Sequence, residues 1–147
     1  MRYKIAVGFD GSLDAEAALR WAFDLALRTD ADVAVVHAAG LLEHSAPRFP
    51  RDKTPEQVLD LADSCGVDPL RVHWHFDDGD PCSVLLRASD EPMNANLLVV
   101  GSRGHGRHPG LLLGSTSLEL AEHATVPIVI VPSTRLHQSP EPSPHSQ

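Results

Sequence analysis

The sequence predicts a five-stranded doubly wound α/β domain, and three observations carry that reading. Short apolar runs rich in Val, Ile and Leu recur five times along the chain, with helical patterns between them. The runs Val33–Val36, Leu97–Val100 and Ile128–Val131 are continuously apolar rather than alternating. Such runs mark strands covered on both faces, as in a parallel sheet with right-handed crossovers. The 147 residues suffice for one such domain with a real core.

The first strand is expected over Lys4–Phe9. After Asp10-Gly11, Ser12 suits an N-cap, with Asp14 and Glu16 placed where the helix dipole favours acids. Ala18, Trp21, Ala22 and Leu25 follow the spacing of one buried stripe. The second strand is expected over Asp32–Ala38, followed by a long loop, Ala39–Lys53, containing Pro47 and Pro50. Thr54-Pro55-Glu56-Gln57 reads as a capping box with Pro at the first helical position. Val58, Leu61, Ala62 and Cys65 form that helix's stripe, and Gly66 ends it. The third strand, Arg71–Phe76, is expected at a sheet edge, with His73 and His75 on one face and Val72, Trp74 and Phe76 on the other. A third helix starts at Asp80-Pro81 and packs Val84, Leu85 and Ala88. The fourth strand is Asn96–Val100, and a fourth helix from near Ser115 packs Leu118, Ala121 and Ala124. The fifth strand is Pro127–Val131. Ser133–Gln147, rich in Pro and Ser, reads as a disordered tail beyond a folded domain of residues 1–132.

Composition narrows the function. Acids outnumber bases 20 to 12, for a formal net charge of −8. That argues against a general binder of nucleic acid or anionic membrane, each of which needs a basic footprint. No apolar run approaches the ~18–20 residues of a spanning helix, and the first residues are too short an apolar stretch for a signal peptide. Cys65 and Cys82 are too few for a disulfide framework, so the cytosol is the expected compartment.

Ligands of open α/β sheets sit outside the carboxyl ends of the strands, where strand order reverses. The richest such end is the stretch from Gly101 to Ser117, with glycines at 101, 104, 106, 110 and 114 that let a backbone approach a ligand closely. Gly114-Ser115-Thr116-Ser117 opens a helix, so free N–H groups, hydroxyls and the positive dipole end converge. Between Glu91 and Glu119 there is no acid, while Arg103, His105, Arg107 and His108 fall in the gap. An anionic ligand, phosphate above all, fits this pattern; a glycine-rich turn before a well-capped helix is the plain alternative. A Walker loop is excluded because the only lysines, Lys4 and Lys53, follow no glycine loop. A Rossmann fingerprint fails at Pro109 and would follow the first strand, not the fourth.

The spacing Gly101-x2-Gly104-x9-Gly114-Ser115 resembles the nucleotide-binding signature of the ATP-binding branch of the universal stress protein family. The resemblance runs from Lys4 to Pro132. It includes Asp10 after the first strand, His37 in the second, Gly79-Asp80-Pro81 before the third helix, and Val126–Pro132. It implies a flavodoxin-like (adenine nucleotide alpha hydrolase-like) fold of strand order 3-2-1-4-5 with four helices. It also implies binding of ATP, with AMP or cyclic AMP as alternatives and Mg²⁺ as a companion, and a homodimer through the fifth strands. Carried over by motif, Gly8, Phe9 and Asp10 would meet the adenosine, the Asp10 carboxylate facing the ribose hydroxyls. Ala38 would border the base, and Val100 and Gly101 would flank base and ribose. Gly104, Gly114, Ser115, Thr116 and Ser117 would bind phosphates. Charge alone adds Arg103 and Arg107. Asp10 also suits a cap of the first helix, and Val100 suits plain core.

Other groups read more simply. His73-x-His75 begins a metal pattern without an evident third ligand. Asp77, Asp78 and Asp80 read as a solvated turn with Asp80 as a cap, against acid–base or Mg²⁺ work. Cys82, in the first turn of a helix, has a position that lowers a thiol pKa. No G-x-S-x-G elbow supports a hydrolase. The fifth strand, apolar and bracketed by Pro127 and Pro132, is an edge that antiparallel pairing with a second copy would cover. The expected role is nucleotide-dependent regulation in stress with at most slow hydrolysis. For a phosphoryl- or adenylyl-transfer enzyme, similarity to adenylate-forming relatives implies a His-x-Gly-His element or a Lys-rich loop; neither is present, and His105–His108 only approaches the first, after the wrong strand. An interaction module with a vestigial pocket is the third reading.

Overall fold

The computed structural model describes residues 2–40, 47–103 and 114–132. A parallel sheet of order β3-β2-β1-β4-β5 forms the middle layer. Its strands are β1 (Lys4–Gly8), β2 (Asp32–Ala39), β3 (Val72–Asp78), β4 (Leu97–Gly101) and β5 (Ile128–Val131). The helices α1 (Leu13–Thr29), α2 (Glu56–Cys65), α3 (Pro81–Arg87) and α4 (Ser115–His123) alternate with them. This is the flavodoxin-like arrangement.

Alternation along the strands divides the core in two. Ile5, Val7, Val33, Val35 and Val99 pack against Ala18, Leu19, Ala22 and Phe23 of α1 and Val58 and Leu61 of α2. Ala6, Ala34, Val36, Leu98 and Val100 face the other way, onto Val84 and Leu85 of α3 and Leu120 of α4. Both faces of the central strands are thus covered, which is why their sequences do not alternate.

Local expectations fare unevenly. Ser12 caps α1 by accepting the Ala15 N–H, and Asp80 caps α3 by accepting that of Ser83. Gly66 ends α2 at φ 81°, a left-handed conformation that suits glycine, and donates to the Ala62 and Asp63 carbonyls. The expected capping box, however, does not form, because α2 starts one residue later. Pro55, not Thr54, occupies the cap position of α2 and offers no side-chain bond; its carbonyl accepts the Val58 and Leu59 N–H groups. A 3₁₀ turn, Pro69–Arg71, takes Arg71 out of β3. Trp21 is 39% exposed rather than buried, because the α1 stripe runs through Leu19 and Phe23. In α4, Leu118 is 49% exposed and Ala121 is also exposed; Ser117 and Leu120 take the inward positions, with Ala124 half-buried. The expected tail, 133–147, lies outside the described residues.

Candidate functional site

The order of strands reverses at β1, whose neighbours β2 and β4 come from crossovers on opposite faces. A cavity of about 340 Å³ opens at the carboxyl ends of those strands. Gly8, Phe9 and Asp10 form one wall where β1 ends, and Ala38 of β2 borders it. Val100 and Gly101 end β4, and Arg103 follows it. Gly114, Ser115, Thr116 and Ser117 close the far side at the start of α4. Every site residue expected from the sequence therefore lines one cavity, except Gly104 and Arg107. Gly104, like His105, Arg107 and His108, lies outside the described residues. Ala15, Val36, Pro81 and Leu85 also line it and were not anticipated. Val36 was legible as the residue before His37 at a strand end, and Pro81 belonged to the Gly79-Asp80-Pro81 motif; Ala15 and Leu85 required the packing of α1 and α3.

Asp10 does not cap α1 directly. Its Oδ1 accepts the Ser12 N–H at 2.9 Å, and Ser12 in turn caps the helix. The side chain is thereby fixed at the cavity wall rather than inside the helix end.

At the opposite wall, α4 starts on Gly114, which has no side chain to cap it. Its own N–H donates to the Ser102 carbonyl at 2.7 Å, while its carbonyl accepts the Leu118 N–H. The amides of Ser115, Thr116 and Ser117 belong to the first turn, which has no intrahelical acceptors for them. They and the dipole make this end attractive to an anion. Among the described residues, the buried Arg103 Nε has no hydrogen-bond partner. An uncompensated guanidinium N–H in a cavity wall is the kind of donor an anion satisfies.

Two expected residues have a different local reason. A Cβ on Gly101 would lie 2.7 Å from the Asp14 backbone oxygen, so this glycine admits the first turn of α1. The Ser117 hydroxyl is buried and donates to the Gly101 carbonyl. Its proton is therefore committed to the fold.

The remaining candidates resolve plainly. Asp77 pairs with Arg87 and Asp78 with Arg51, leaving a neutralised turn. Bonds from Ser83 hold the Asp80 carboxyl below its usual range. Cys82 reverses the expectation from its helix position. Burial, aided by Glu119 and Asp80, pushes its thiol up. Burial and the neighbouring His73 and Lys4 charges push His75 down. Among the described residues no three His, Cys, Asp or Glu side chains gather as a metal site, nor is any helix long and apolar enough to cross a membrane.

Comparison with known proteins settles the lineage. The family model described as the Universal stress protein family matches residues 1–132. The chain belongs to the universal stress protein family. Universal stress protein Rv2623 of Mycobacterium tuberculosis is 33% identical over 157 residues, covering 97% of this chain and 50% of its own length. The chain spans about half the length of the curated mycobacterial relatives it matches. A universal stress protein crystallised in complex with cAMP is 26% identical, with a TM-score of 0.68 over 88% of this chain and 96% of its own. The universal stress protein from Archaeoglobus fulgidus in complex with dAMP has a TM-score of 0.64 at 21% identity, over 88% of this chain and 97% of its own, and shows the shared fold. Structural neighbours in this family thus carry small adenine nucleotides.

Proposed function

We propose that this universal stress family member binds an adenine nucleotide, ATP with Mg²⁺, in the cavity between the ends of β1 and β4. The observation that carries the reading is the pairing of two unlike walls in one cavity. Asp10 presents a carboxylate on the side suited to ribose. The start of α4, with no side-chain cap, presents N–H donors on the side suited to phosphates, and Arg103 adds a positive charge to the same lining. Gly8, Phe9, Ala38, Val100 and Gly101 line the adenosine end, and Gly114, Ser115, Thr116 and Ser117 the phosphate end, Ser117 through its N–H. Asp10 is the only carboxylate among the described lining residues. A Mg²⁺ ion would therefore be held mainly by phosphates and water, a common arrangement for this cation. AMP and cyclic AMP remain the competing ligands within the same reading.

The protein acts by occupancy rather than turnover, as a cytoplasmic stress-response regulator, and any hydrolysis is slow. It forms a homodimer in which β5 pairs antiparallel with its copy. β5 is a sheet edge, and Ile128, Val129 and Ile130 are only half-buried. Such an apolar edge is a hazard unless covered.

Native mass spectrometry of the purified protein tests both points. A dimer mass carrying adenine nucleotide supports the reading, and Gly114→Val, whose side chain crowds the phosphate end, should lose the ligand. An apo protein that ignores added ATP and Mg²⁺ overturns it and leaves an interaction module.

A further inference from the structure

Asp10 is held in place by a segment that the cavity itself does not include. Residues 48–51 cross the carboxyl ends of β1, β2 and β3 and are tied down one after another. Arg48 Nη1 donates to the Asp10 carbonyl at 2.8 Å. Phe49 is buried, its ring 5.7 Å from Phe9, 4.9 Å from His37 and 5.7 Å from Trp74. Trp74 Nε1 donates to the Pro50 carbonyl at 2.8 Å. Arg51 lies 4.4 Å over the Phe76 ring and pairs with Asp78 at 2.9 Å. From below, His37, only 1% exposed, places Nδ1 2.9 Å from the Phe9 carbonyl. A carbonyl only accepts, so Nδ1 carries the proton.

The two carbonyls flanking the Asp10 Cα, those of Phe9 and of Asp10 itself, are thus each fixed by a side chain from elsewhere. Oδ1 is fixed in turn by the Ser12 amide. With both neighbouring peptides pinned, the direction of the carboxylate is set before any ligand arrives.

We infer that Arg48 is a positioning residue for Asp10 and that residues 48–51 buttress the ribose side of the nucleotide site. The inference rests on the nucleotide reading above and adds a residue that does not touch the ligand. Its effect passes through the carboxylate, so it appears as selectivity for ribose hydroxyls. Phe49 is part of the core, and its truncation endangers the fold; Arg48 is exposed and can be changed safely.

The experiment compares ATP with 2′,3′-dideoxy-ATP by titration calorimetry on the full chain, wild type against Arg48→Ala. Wild type should prefer ATP. Arg48→Ala should weaken ATP roughly three- to tenfold, the reach of one exposed charge-assisted hydrogen bond. It should leave dideoxy-ATP binding and the melting temperature unchanged. In an Asp10→Ala background, Arg48→Ala should cost nothing further. Equal losses for both ligands, no loss, or a loss that persists without the Asp10 carboxylate each overturn the inference, as does a wild type that binds both nucleotides equally. A wild type that binds neither nucleotide overturns the proposed function with it, whereas nucleotide binding indifferent to Arg48 overturns the buttress alone.

Discussion

The Ser117 hydroxyl donates to the Gly101 carbonyl at 2.9 Å, with Ser117 only 2% exposed. This bond clamps the first turn of α4 to the last residue of β4, so two walls of the cavity keep a fixed separation. It also changes what Ser117 can give a ligand, since the hydroxyl proton already has an acceptor.

Gly101→Ala should destabilise the protein in the absence of any nucleotide. Its Cβ would stand 2.7 Å from the Asp14 backbone oxygen, which cannot rotate away as a side-chain tip could. Overpacking of this kind costs about 1–3 kcal/mol. Urea unfolding of the apo protein measures it. A variant as stable as wild type would show that α1 can shift at no cost.

Leu118 and Leu120 should respond very differently to truncation. Leu120 is fully buried against the face shared by α3 and β4, and its loss leaves a cavity worth about 2–5 kcal/mol. Leu118→Ala should fall within about 0.5 kcal/mol of wild type. The same unfolding series distinguishes them, and equal costs would restore the amphipathic stripe expected from sequence.

Asp80 should make stability depend on acid pH. Its carboxyl is held below the ordinary value of 3.8, first by the Ser83 amide, so the folded state favours the charged form. That contribution is complete above the unfolded-state value and disappears as pH falls through the folded-state value. Asn keeps a capping oxygen but does not titrate. The melting temperatures of wild type and Asp80→Asn should therefore differ at neutral pH and converge in acid. A gap independent of pH would remove the charge from the explanation.

Cys82 should resist alkylation in the folded protein. Burial raises its thiol, and the side chain is almost inaccessible, whereas Cys65 is partly exposed. Iodoacetamide labelling with peptide mapping should find Cys65 modified first and Cys82 only after unfolding in urea. Early labelling of Cys82 would mean that α3 opens locally.

The sheet was legible because burial on both faces leaves a run such as Val33–Val36 no polar alternation to read otherwise. The cavity was legible for a related reason: glycine and serine at a strand end and an uncapped helix start are visible as residue types. What sequence could not show was which of two adjacent stripes a helix buries. In α1, Trp21 and Phe23 are both apolar, and the choice falls to packing against the sheet face that includes Ile5, Val7, Val33 and Val99. In α4 a serine faces inward, because its partner is a carbonyl sixteen positions away in chain order rather than another side chain. The buttress was hidden for the same reason. His37, Phe49 and Trp74 meet only when β2, β3 and the 48–51 segment converge.

The placement of β1 at the centre of the sheet has a consequence for synthesis. Of the five strands it is made before the others, pairs with β2 once residues 32–39 emerge, and keeps its other edge open until β4 is made. For most of translation Ile5, Ala6 and Val7 therefore lie beside a vacancy that Leu97, Leu98 and Val99 will fill. A chain that ends before residue 97 has three of the five strands and lacks the cavity wall that β4 and α4 supply.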